Sequence, residues 1–81
     1  MRPATHHPST SDIRADALFA SSLQHGDLPN AAEIRLAVAA AIEAFGQLGC
    51  AGRVAQEFGD HPETAVARMR WARQAADAAA V

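Results

Sequence analysis

NAAEIRLAVAAAIEAFGQL, residues 30–48, decides the fold. Asn30 and Glu33 have the spacing of a capping box, in which each side chain satisfies the other residue's backbone N–H at a helix start. Beyond them Ile34, Val38, Ala41, Ile42, Phe45 and Leu48 gather within about 120° of arc on a helical wheel. Glu33, Glu43 and Gln47 take the other side, so the segment reads as an amphipathic helix over 30–48 with one packed face. Leu36 is the exception, an apolar residue among the polar ones.

Outward toward the N-terminus, Ser9 and Asp12 repeat the capping spacing, and Ile13, Ala17, Ala20 and Leu23 recur at helical intervals. A helix is expected over 10–24, with Phe19 widening its apolar face and Leu18 falling outside it. His25-Gly26-Asp27-Leu28-Pro29 breaks it, Gly26 offering a left-handed position and Pro29 ending the hydrogen-bond ladder. Toward the C-terminus, Gly46 and Gly49 mark a break, and a short helix over 50–58 offers Val54, Ala55 and Phe58 to the core. Gly59 ends it. Asp60 and Glu63 form a third capping pair, with Pro62 in the first turn of a last helix over 61–79. There Ala65, Met69, Ala72 and Ala76 make one stripe, while Trp71, flanked by Arg68 and Arg70, lies more than about 100° away beside Ala67, Ala75 and Ala78.

The expected architecture is thus all-α: a compact four-helix domain over residues 10–81, orthogonal or bundle-like, after a flexible leader at 1–9 rich in Pro, His, Ser and Thr. Alanine abounds, and β-branched residues are too scattered for strands. A chain of 81 residues with so few large apolar side chains buries only roughly 60% of its unfolded surface, so a second copy or a partner is expected to add burial.

Chemistry is hard to find in these residues. His6, His7, His25 and His61 show no metal-ligand spacing among themselves or with Cys50, and no nucleophile, base or phosphate-cradling motif recurs. The expectation is a non-enzyme with no cofactor, metal or small-molecule substrate. The lone Cys50 among small apolar neighbours reads as a buried, reduced thiol. No apolar run comes near the roughly 18 residues that span a membrane, so a cytoplasmic location without membrane contact is expected. A net charge of −2 speaks against a broadly basic nucleic-acid surface, although the negative excess lies entirely in residues 1–50.

The most specific local pattern is VAQEFGDHPETAVARMR, residues 54–70. Residues 52–73 resemble a helix-turn-helix, with Ala55 as the small residue in the first helix, Gly59 at the turn, and Ala65 and Met69 locking the second helix. Pro62-Glu63-Thr64 resembles the recognition-helix start of bacterial sigma-factor-like regulators. The resemblance implies DNA contacts from His61, Thr64, Arg68, Arg70 and Arg73. Read without it, the same residues make a capped corner between two helices.

Two functions follow as expectations. The first is a small regulatory or adaptor domain working through a protein interface, with another protein or as a homodimer, built on the off-stripe residues Trp71, Leu36 and Leu18 with Arg68 and Arg70. The second is a helix-turn-helix DNA-binding regulator reading with residues 52–73.

Overall fold

The computed structural model describes residues 9–80. They form three α-helices, α1 (Thr10–Ala20), α2 (Ala31–Asp60) and α3 (Pro62–Ala79), with a 3-10 turn at His25–Asp27 and, among the described residues, no strand. The all-α class stands, but there are three helices rather than four. The segments expected at 30–48 and 50–58 are one element, bent at Gly46. Gly46 sits at φ 72°, ψ 169°, a region essentially closed to residues bearing a Cβ. Past it the helix resumes without a loop, and a Cβ on Gly49 would lie 3.0 Å from that of Phe45. One glycine therefore makes the bend and the other lets its two limbs close. The leader expected at 1–9, apart from Ser9, lies outside the described residues together with His6, His7 and Val81.

Two of the three capping pairs form. Ser9 Oγ accepts from the Asp12 N–H at 3.1 Å, and Asn30 Oδ1 accepts from the Glu33 N–H at 2.8 Å; both boxes are reciprocal. The pair expected at Asp60 and Glu63 does not, because α2 continues through Gly59 and Asp60. The residue before α3 is His61, which makes no side-chain cap. Helix α1 stops at Ala20 instead of running to 24. Ser21 turns extended, and its hydroxyl donates to the Leu18 carbonyl at 2.6 Å, competing with the next helical turn. Leu28 adopts the left-handed conformation that Gly26 was expected to supply.

Helix α1 packs between the other two, which corrects the one-sided face expected for it. Leu18 and Phe19 turn to a cluster with Ile34 of α2 and Ala65, Ala72, Ala76 and Ala79 of α3. Ala17 turns to a second cluster with Ala41 and Cys50. Leu18 is thus completely buried, not a surface residue. The α3 stripe emerges as expected, and its small side chains let the backbones come close. The α2 stripe holds through Ile42, and Phe45, just before the bend, is already exposed. Leu48 is 90% exposed, because Gly46 resets the angular register and hands the inward position to Cys50.

By length and composition α2 is the one helix among the described residues that meets the requirement for crossing a membrane, so the expectation that no run approaches that length does not hold. Only 22% of its most apolar stretch is buried.

Candidate functional site

The residues singled out in the sequence do not converge on one surface. Arg68 turns inward. Its Nε donates to the Phe19 carbonyl at 2.9 Å, and its Nη2 lies within hydrogen-bond reach of the Leu18, Ser21 and Leu23 carbonyls at 3.4, 3.0 and 2.9 Å. Phe19 lies in the last turn of α1, Ser21 and Leu23 follow it in the connection, and the Leu18 carbonyl also accepts from the Ser21 N–H and hydroxyl, so a guanidinium from α3 caps the end of α1 across the core. The same group lies 5.2 Å above the Trp71 ring centroid and 5.6 Å above that of Phe19. Partial burial pulls its pKa below the ordinary arginine value, and nearby Glu57 pulls it back. Arg68 is therefore half-buried and engaged within the fold.

Arg73 is engaged as well, its Nη1 2.9 Å from Asp12 Oδ1. His61, Thr64 and Arg70 are exposed. The corner between α2 and α3 is a single residue, His61, with Gly59 helical, whereas a helix-turn-helix has a turn of about three or four residues. Ala55 is exposed, and Val54 and Phe58 make the packing assigned to it. Leu36 is 71% exposed but lies about 200° round α2 from the buried Ile34, on a face turned away from Trp71.

What does gather around Trp71 is a groove of about 400 Å³ between the 3-10 turn, the start of α2 and the second half of α3. Its walls are His25, Leu28, Pro29, Ile34 and Trp71, and alanines of α3 line much of the rest. The His25 and Trp71 rings stack with centroids 6.0 Å apart and planes 28° from parallel. No carboxylate, lysine or arginine lines the groove.

Leu28 at its rim is the feature that sequence reading missed. It is 83% exposed, and it holds φ 49°, ψ 54°, a left-handed conformation that glycine and asparagine adopt readily and leucine does not. Its N–H donates to the His25 carbonyl at 3.1 Å, closing the 3-10 turn. A leucine between Asp27 and Pro29 was visible in the sequence, but nothing there showed that the backbone would be left-handed at Leu28 rather than Gly26. The described residues contain no group of three or more histidine, cysteine or acidic side chains placed to hold a metal ion. No protein-family model, curated protein or solved structure matches this chain.

Proposed function

We propose that the chain is a small non-enzymatic adaptor or regulatory domain of the cytoplasm that takes an apolar segment of a partner protein into the Trp71 groove. One observation carries the reading. A bulky apolar side chain, Leu28, is held in a conformation costing roughly 1 kcal/mol, yet it is not buried, so its own fold gains no packing in return. Such strain is retained where a surface uses it, and here it stands beside an open, uncharged groove walled by an aromatic pair. Trp71, the chain's only tryptophan, is the anchor, and Leu28 extends the apolar rim. The buried, unpaired Cys50 agrees with a reducing compartment.

The DNA-binding reading keeps His61, Thr64 and Arg70, but Arg68 and Arg73 each have partners within the chain. No further observation favours it.

The test is Leu28→Asn alongside Trp71→Ala. Leu28→Asn should raise the unfolding free energy by roughly 0.5–1 kcal/mol, since asparagine tolerates the left-handed conformation, while weakening capture of any partner retained by the wild type. A partner that binds both variants as well as the wild type would overturn the groove. Salt-sensitive binding of mixed-sequence duplex DNA, lost in Arg70→Ala, would replace the reading with the nucleic-acid one.

A further inference from the structure

A second cavity, of about 430 Å³, lies between the connection that follows α1, the second limb of α2 and the first half of α3. Arg53 and Arg68 line it from different helices, together with Gln24, Gln56 and Glu57. Both guanidiniums are held against aromatic rings. Arg53 Cζ lies 3.8 Å from the Phe45 ring centroid, a contact made across the Gly46 bend, and Arg68 Cζ lies 5.2 Å from that of Trp71. A ring attracts the cation through its face and leaves the planar N–H fork available. Among the described residues Arg53 makes no hydrogen bond or ion pair, and Arg68 commits Nε and Nη2 to carbonyls but not Nη1. We infer that this cavity binds the phosphoryl group of a small phosphate ester whose remainder carries hydroxyl groups.

Charge selects the phosphoryl group. Two arginines against the single carboxylate of Glu57 leave the lining net positive in a chain of net charge −2. The groups that Arg68 caps are neutral carbonyls, and Glu57 has its ion-pair contact with His61, 3.4 Å away, so neither guanidinium has a carboxylate within ion-pair distance. A phosphate monoester brings about −1.5 to −2 charges and three strong acceptor oxygens to such a pair of donors. Because the rings and the capped carbonyls fix both side chains beforehand, little rotamer entropy is lost on binding. Size and Glu57 select the remainder. The cavity holds far more than a lone phosphate, whose bulk is that of a few waters at roughly 30 Å³ each. The amides of Gln24 and Gln56 and the Glu57 carboxylate suit hydroxyl groups, and Glu57 repels a second phosphate, which disfavours a nucleic-acid backbone running across the cavity. Phe19, the aromatic residue in the wall, is 4% exposed and stacked on Phe58, so it gives a base no face to stack on.

The experiment is calorimetric titration of the full chain with ribose 5-phosphate, beside ribose, inorganic phosphate, a phosphoserine peptide and duplex DNA. Ribose 5-phosphate should saturate with a dissociation constant below about 1 mM, and ribose should not bind. Arg53→Ala should raise that constant at least about tenfold while the protein stays folded, since Arg53 is exposed and alanine favours the helix. Glu57→Gln should tighten inorganic phosphate at least about twofold, by removing a like charge. Trp71 emission should change on binding, because Arg68 lies against its ring. No saturation by ribose 5-phosphate up to about 10 mM, an Arg53→Ala constant equal to that of the wild type, or tighter binding of the phosphoserine peptide or the DNA would each overturn the proposal. Leu28→Asn should leave ribose 5-phosphate binding unchanged, so this cavity and the Trp71 groove succeed or fail separately.

Discussion

Arg68 Nε donates to the Phe19 carbonyl at 2.9 Å while the same guanidinium lies 5.6 Å above the Phe19 ring. One side chain of α3 thus caps α1 and covers its last aromatic residue, joining the two helices through polar and apolar contact at once.

Arg68→Ala leaves that carbonyl and its neighbours at Leu18, Ser21 and Leu23 without their charged donor. It should lower the unfolding free energy by about 2–3 kcal/mol, read from urea denaturation. Arg68→Lys should recover only part of this, since an ammonium lacks the planar fork. An unchanged midpoint in Arg68→Ala would show that water replaces the cap at no cost.

Gly46→Ala should destabilise by about 1–3 kcal/mol, through backbone strain alone. No atom lies within 4 Å of an added Cβ there, so crowding is not the cause. Gly52→Ala, in an open helical position, should be neutral or stabilising, and the two variants compared in one thermal melt separate strain from propensity. Equal melting points would contradict the bend.

Two aspartates of α1 respond to pH in opposite senses. The Arg73 hydrogen bond, with those from Ser9, holds Asp12 below the usual carboxylate range, so its contribution is present above about pH 4 and disappears as pH falls through the lowered value. Burial raises Asp16, so its charged form opposes folding above the raised value, and the penalty vanishes below about pH 4. Asp12→Asn should therefore destabilise at neutral pH and Asp16→Asn stabilise, the Asp16 difference closing below about pH 4 and the Asp12 difference only as pH falls through its lowered value. Parallel stability profiles for the two variants would show that these environments are wrongly assigned.

Cys50 is 1% exposed with its Sγ 3.6 Å from the Ala41 carbonyl, and burial raises its thiol pKa. A disulfide reagent at neutral pH should modify the native protein at least about a hundredfold more slowly than the urea-unfolded chain. Comparable rates would mean that the cluster of Ala17, Ala41 and Cys50 opens readily.

The local features legible from sequence were those with local causes. Ser9 with Asp12 and Asn30 with Glu33 cap helices through contacts three residues apart, and the Ala65, Met69, Ala72 and Ala76 stripe follows from helical period alone. The glycine at 46 was equally legible as a break. That it bends one helix rather than separating two depends on how α1 fills the angle between the limbs, a contact made across the chain.

The site was less legible for the same reason. Arg68 looked like a surface cation beside an aromatic ring, because nothing in residues 61–79 shows that the end of α1 lies under it. Leu18 looked exposed because a wheel assumes one buried face, whereas α1 is covered on two sides. Residue order alone settled an all-α chain, the capped starts of α1 and α2, and the place of the glycine break, since these depend on propensity and on neighbours a few positions away. Tertiary packing settled which arginines are engaged, where Leu48 and Cys50 point after the bend, and that Leu28 rather than Gly26 carries the left-handed turn beside Trp71. Each of those depends on groups far apart in the chain meeting in space, which no local periodicity encodes.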